Sequence, residues 1–262
     1  MGSRDLRISG SGSYTGGKFE DVSISGSGKI NGDLQCIKFS SSGSSKVEGH
    51  VSCEKFGCSG SSKIGGNITS EEFKCSGSLK ITGSVDTQVC KVSGVCKIEG
   101  DMQGDTLSSS GAITIDGNIK CEKISISGVL ASGKNIEAEE ININGSIRNT
   151  GTINAERVSI ECRGGNGSCS FNEIGASKVT MNKYHQNSGF GLYKLFELFT
   201  GNTNKIHGNL VEGDEIYIEN ASIKMVRGDR IVIGPDCQID QVEYRESIEV
   251  SDKAQVKQVV KI

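Results

Sequence analysis

The stretch SGSGKINGDLQC, Ser25 to Cys36, is the clearest copy of a unit that recurs along this chain. A second copy, SGSLKITGSV, occupies Ser76 to Val85. Glycines recur in these copies at a constant spacing of seventeen residues: Gly26, Gly43, Gly60, Gly77, Gly94, Gly111, Gly128 and Gly145. A period of this length is typical of a solenoid, in which each repeat forms one coil stacked on the previous one.

Apolar residues within a unit alternate with polar ones, as in Val22-Ser23-Ile24-Ser25. This two-residue period is that of a strand with one buried face. The Ser/Gly and Asn/Gly clusters between the strands are typical of turns, where glycine reaches positive φ without steric cost. We therefore predict an all-β fold, a single-stranded parallel β-helix of about 17 residues per coil. The irregular slips of the period favour the right-handed form over the left-handed one.

The repeat frays after Val158, where Arg163 to Gly167 adds residues, and a different segment then follows at residues 182–204. The segment contains apolar residues at i, i+3, i+4 and i+7, which predicts a short amphipathic α-helix at 189–200: Leu192, Leu195, Phe196 and Phe199. After it, KIHGNL at 205–210 repeats the pattern of KINGDL at 29–34, so the coil resumes. The interpretation is one continuous β-helix over residues 1–262 with a loop insertion at 182–204.

This predicted helix has two interpretations. Its apolar stripe, Leu192, Leu195, Phe196 and Phe199, could contact a partner protein or a membrane surface. Alternatively, the helix packs on one flank of the solenoid and covers residues of the apolar ladder.

Composition narrows the function classes. Hydrophobic residues make up only 34% of the chain and the net charge is −3. A thin solenoid core needs fewer apolar residues than a globule, and without an evident basic stripe nucleic acid is not an expected partner. With no apolar leader and no apolar run of membrane-spanning length, we expect a cytoplasmic protein, with membrane association as the alternative.

The ten cysteines fall into repeat columns. Cys36, Cys53 and Cys121 share one column, and Cys58 and Cys75 share another. Cysteine is therefore interpreted as a small core residue, buried and reduced. The chain has no CxxC pair, so no metal site is expected.

Catalysis is not expected. The acidic residues are scattered singly, and the histidines His50 and His207 have no evident partner in the sequence. We predict that the protein is not an enzyme and uses no cofactor and no small-molecule substrate.

Two stretches resemble the bactofilins, the polymer-forming cytoskeletal proteins of bacteria, and more closely a longer subgroup from Gram-positive bacteria. They are the SGSGKINGDLQC unit with its copies and Gly213–Tyr244, GDEIYIENASIKMVRGDRIVIGPDCQIDQVEY. The resemblance implies a right-handed β-helix that assembles into filaments or sheets through its terminal coils, without nucleotide and without catalytic residues.

The strand edges give a physical reason for such assembly, because an unpaired edge must be capped or paired. We place the polymer interface at the last coil, on Ile248, Val250, Val256 and Val259. The predicted function is a structural scaffold whose partner is itself, with a related paralogue or an envelope-associated protein as further partners. The alternative is a non-polymerising β-helical platform that recruits a partner through the 189–200 helix.

Overall fold

A computed structural model describes residues 5–163, 169–183 and 206–262, and in those ranges it contains strands and no helix. The helix predicted at 189–200 lies outside the described residues. The chain divides into two compact units, Met1–Glu137 and Ala138–Ile262. Each is a parallel β-solenoid, which confirms the predicted all-β class. The right-handed sense and the continuity of one coil over 1–262 stay predictions.

The first unit is built from short strands that pair only in parallel among themselves. They are β1 (Leu6–Ile8), β2 (Ser11–Lys18), β3 (Asp21–Ile24), β4 (Ser27–Ser41), β5 (Ser44–Val47), β6 (Val51–Cys58), β7 (Ser61–Ile64), β8 (Ile68–Cys75), β9 (Ser78–Ile81), β10 (Val85–Val92), β11 (Val95–Ile98), β12 (Met102–Ser109), β13 (Ala112–Ile115), β14 (Ile119–Ile126) and β15 (Val129–Ser132). The next strand, β16 (Ile136–Ile143), contains the unit boundary.

Register in this unit follows the sequence period. Ser44 pairs with Ser61, and Val51 pairs with Ile68, in each case seventeen residues later. The first coil is one residue shorter, since Leu6 pairs with Val22. Equivalent residues therefore lie one above another, at the strand spacing of about 4.8 Å.

The core of the first unit consists of these stacked columns. Phe39, Phe56 and Phe73 lie in successive coils, with ring centroids 4.8 and 5.1 Å apart and interplanar angles of 8°. All three side chains are at most 2% exposed. A single coil could not bury such rings, so its stability depends on its neighbours above and below.

The main glycine column exists for close stacking rather than for turn conformation, which corrects the sequence interpretation. Among the described residues, positive φ in glycine occurs only at Gly17 and Gly32. At Gly60, by contrast, a Cβ atom would lie 2.0 Å from the carbonyl oxygen of Gly43 in the preceding coil. The same conflict, at 2.0 to 2.3 Å, recurs throughout the column from Gly26 to Gly128.

The second unit uses longer strands in coils of variable length. They are β17 (Ser146–Asn149), β18 (Thr152–Cys162), β19 (Cys169–Ser170), β20 (Glu173–Lys183), β21 (Ile206–Ile218), β22 (Ala221–Ile233), β23 (Gln238–Val250) and β24 (Gln255–Lys261). The spacing predicted from the sequence is confirmed, because Ile216 pairs with Ile231 fifteen residues later and Ile231 with Ile248 seventeen later.

Between β20 and β21 the register offset is 37 residues, since Val179 pairs with Ile216. A coil accounts for fifteen to seventeen of these. Roughly twenty residues are therefore additional to the repeat at this point, where the sequence predicts the insertion.

Candidate assembly site

The four residues predicted at the polymer interface lie in the last two strands of the second unit. Ile248 and Val250 are in the C-terminal part of β23, and Val256 and Val259 are in β24. β24 pairs with β23 only as far as Tyr244. No other strand of the described ranges pairs with the outer edge of β24 or covers Ile248 and Val250.

Exposure along the columns changes abruptly at this edge. Val211, Val226 and Val242 stack in register with Val259, and the first three are fully buried whereas Val259 is 47% exposed. All four residues are valines in equivalent positions. The exposure of Val259 therefore follows from the absence of a further coil above it among the described residues, and not from its direction on the strand.

A second column behaves in the same way. Ile218 and Ile233 are at most 1% exposed, but Val250, the next residue in register, is 44% exposed. Burying a Val side chain completely contributes about 1.5–3 kcal/mol. A strand placed on this edge would recover part of that free energy at each position and would also satisfy the unpaired backbone groups.

Several charged side chains beside the edge have partners in the preceding coils. Arg227 bridges Glu212 and Glu243, at 3.0 and 2.7 Å, and thereby joins three successive coils. Lys257 on β24 contacts Asp240 at 2.7 Å. In the core columns, the residues that a further coil would cover are apolar: Val250, Val256 and Val259.

A second column of ion pairs, centred on Arg230, reaches the same edge. Arg230 contacts Glu215 at 3.0 Å and Glu246 at 2.7 Å. A hydrogen bond from Lys178, and to a lesser extent one from Arg230, holds the pKa of Glu215 below its usual value. Because these groups are exposed, they align neighbouring coils more than they stabilise them.

The N-terminal edge of the first unit has an uncovered apolar residue that sequence reasoning missed. Tyr14 on β2 pairs with Ile30, and it is 37% exposed whereas Ile30 is fully buried. Tyr14 lies in the core column that continues through Val47 and Ile64. Its column position was the signal that could have identified it.

His50 has a structural partner, which corrects the sequence interpretation that it has none. Its Nδ1 accepts a hydrogen bond of 2.9 Å from the backbone N–H of Asn67. The backbone N–H of His50 itself donates to Asp33 Oδ1 at 2.8 Å. The pattern continues along one column, in which each side chain accepts a hydrogen bond from the backbone N–H of the residue seventeen positions later. The accepting side chains are those of Asp33, His50, Asn67, Ser84 and Asp101, and the backbone N–H of Asn118 is the last donor.

His207 lies elsewhere and does not join His50. It lines an open groove of about 950 Å³ in the second unit, together with Lys224 and Asp240. Within the described ranges its imidazole has no hydrogen-bond partner. The described residues contain no cluster of three or more His, Cys, Asp or Glu that could hold a metal ion.

A lysine column runs along the first unit, which corrects the expectation that the chain has no basic stripe. Its members are seventeen residues apart: Lys29, Lys46, Lys63, Lys80 and Lys97. Glu48 contacts both Lys29 and Lys46, at 3.1 and 2.8 Å, and Glu99 contacts Lys80 at 2.8 Å. Carboxylates thus offset much of the positive charge on this face.

The predicted helix contacts, Leu192, Leu195, Phe196 and Phe199, lie outside the described residues. In the ranges that are described, no helix is long and apolar enough to cross a membrane.

Comparison with known proteins finds partial similarity to two uncharacterised proteins of Bacillus subtilis. The chain is 29% identical to YhbF over 90 residues, which cover 34% of each protein. It is 43% identical to YhbE over 53 residues, 20% of this chain and 22% of YhbE. No family profile and no solved structure matches. The chain is thus similar to YhbF and YhbE over about a third and a fifth of their lengths.

Proposed function

We propose that this protein is a non-catalytic structural protein that assembles without nucleotide into a bacterial cytoskeletal polymer or scaffold, with a second copy of the chain docked on the edge of β24. The resemblance to bactofilins supports the proposal, and so does the repeated coil. YhbF and YhbE are themselves uncharacterised, so they contribute no function.

The observation that carries the proposal is the exposure of Val250 and Val259 in columns that are otherwise buried. Inside each unit, what covers such a column is another β-coil with an apolar residue in the same register. The terminal coil of a second copy has this chemistry. It would also pair the unpaired backbone edge, which apolar ligands and globular surfaces do not do.

Negative-stain microscopy of the purified protein in nucleotide-free buffer tests the proposal. We expect filaments or sheets whose amount rises with protein concentration. Monodisperse particles at high concentration would refute it, and would favour the platform that recruits a partner through the 189–200 helix.

Charged substitutions locate the interface. Val259→Glu and Val256→Glu place a carboxylate on the proposed contact surface and should abolish the polymers while circular dichroism stays that of a folded β protein. The matched control is Val95→Glu, because Val95 is 57% exposed but lies on β11, which pairs with strands on both sides. Polymers that survive both edge substitutions, or that are lost equally in the control, would contradict this placement.

We further propose that the protein acts in the cytoplasm and that its principal partner is itself. A paralogue or an envelope-associated protein would join the assembly as a second component.

A further inference from the structure

Cys36 and Cys53 are neighbours in one column of the first unit. They lie directly opposite each other in the parallel pair β4 and β6. Adjacent strands are about 4.8 Å apart, which is within the Cα separation of about 4.4–6.8 Å that disulfides span. The next two residues of the column, Ser70 and Thr87, bring their hydroxyl oxygens to 3.0 Å.

These two thiols are also the most accessible of the ten cysteines. Cys36 is 7% exposed and Cys53 is 8% exposed. They line an open groove of about 500 Å³ together with Lys18, Phe19 and Glu54. Of the ten thiols, these two therefore need the least local opening of the coil to meet a small reagent.

A second in-register pair provides an internal comparison. Cys58 and Cys75 also face each other in successive coils, β6 and β8, but they are only 3% and 0% exposed. The Cys58 thiol donates to Ser62 Oγ at 3.3 Å. Register is thus the same in both pairs, and access is what differs.

The two thiols of the accessible pair influence each other unequally. Interaction with the neighbouring thiol lowers the pKa of Cys36 and raises the pKa of Cys53. Burial opposes the effect at Cys36. Since the thiolate is the nucleophile in disulfide exchange, Cys36 is the residue expected to react first.

We propose that Cys36 and Cys53 form a thiol pair that small-molecule disulfides oxidise to a disulfide between adjacent coils. The Cys36 thiolate attacks one sulfur of the reagent RSSR, forming a mixed disulfide and releasing RS⁻. Cys53 then loses its proton to solvent and attacks the Cys36 sulfur, releasing the second RS⁻. Two protein thiols are oxidised by two electrons, and RSSR is reduced to two RSH. This modification does not depend on the proposed function.

The test uses the folded full-length protein with 2-hydroxyethyl disulfide. After an acid quench, the remaining thiols are alkylated in denaturant and the tryptic peptides are identified by mass spectrometry. We expect two of the ten thiols to be lost, with the Cys36 and Cys53 peptides joined and two hydrogens lighter than the separate pair. Cys58 and Cys75 should be alkylated, as in the untreated protein.

Two variants separate the steps. Cys53→Ser should leave Cys36 carrying the hydroxyethylthio adduct, and Cys75→Ser should leave the link between Cys36 and Cys53 unchanged. The wild-type peptide map decides the question even if one variant fails to fold. The proposal is overturned if both thiols are alkylated after treatment, if both carry separate adducts without a link, or if Cys58 and Cys75 become linked instead.

Discussion

Replacing Gly60 by alanine should destabilise the first unit strongly, although it adds only one methyl group. The new Cβ would lie 2.0 Å from the carbonyl oxygen of Gly43 and 2.5 Å from that of Ser42. Both obstacles are backbone atoms of the preceding coil, so no side-chain rotation can relieve the conflict. The coils must separate locally by about 1.4 Å before an ordinary contact distance of 3.4 Å is reached, against a normal strand spacing of about 4.8 Å.

The magnitude follows from what that separation breaks. The carbonyl oxygen of Gly43 accepts a hydrogen bond of 2.9 Å from the N–H of Ser61, and the N–H of Gly60 donates to Ser41 at 3.2 Å. Losing one or both costs about 0.5–1.5 kcal/mol each, and overpacking adds about 1–3 kcal/mol. We therefore expect the free energy of unfolding to fall by about 1.5–6 kcal/mol.

Guanidinium unfolding followed by circular dichroism measures this loss, and the same coil offers a matched control. At Gly57, an added Cβ meets only the carbonyl oxygen of Phe39 at 3.6 Å, which is an ordinary contact. Gly57→Ala should therefore unfold within about 0.5 kcal/mol of the wild type. Equal midpoints for Gly57→Ala and Gly60→Ala would refute the view that the glycine column is required for close stacking.

Two further predictions concern the columns of the first unit. Phe56→Ala removes the central ring of the stack formed with Phe39 and Phe73, so it should lower the free energy of unfolding by about 3–5 kcal/mol. Phe56→Leu should lower it clearly less in the same denaturation experiment. A similar loss for both variants would contradict the stacking argument. His50→Ala removes the acceptor of the Asn67 N–H and should cost about 0.5–1.5 kcal/mol. His50→Asn should restore most of that loss, and hydrogen exchange at the Asn67 amide should show faster exchange in the alanine variant only.

Much of the fold can be predicted from the sequence because a solenoid repeats one local pattern. The two-residue alternation predicts which side chains point inward, and the seventeen-residue period predicts which of them share a column. The pairing of Val51 with Ile68 and the fifteen-residue step from Ile216 to Ile231 are both readable in this way. The lysine column was readable too, since its members follow the same period.

The physical role of several residues could not be predicted, because it depends on atoms of the neighbouring coil. In the sequence, the glycine column is typical of turns. Only the distance from a Cβ at Gly60 to the carbonyl oxygen of Gly43 shows that the column is required for close stacking. His50 looked unpartnered because its partner is a backbone N–H, which every residue has and which a sequence cannot locate. Cys36 and Cys58 look alike in the sequence, whereas in the structure they differ in burial and in the hydrogen bond that Cys58 makes to Ser62.

The candidate assembly site shows the same division. By itself, the sequence places Val242 and Val259 seventeen residues apart, which is one period of the repeat. Only the tertiary structure decided that the first is fully buried and the second 47% exposed. The physical reason is that alternation along a strand fixes the direction of a side chain, whereas its burial requires a coil on the far side, and β24 has none among the described residues.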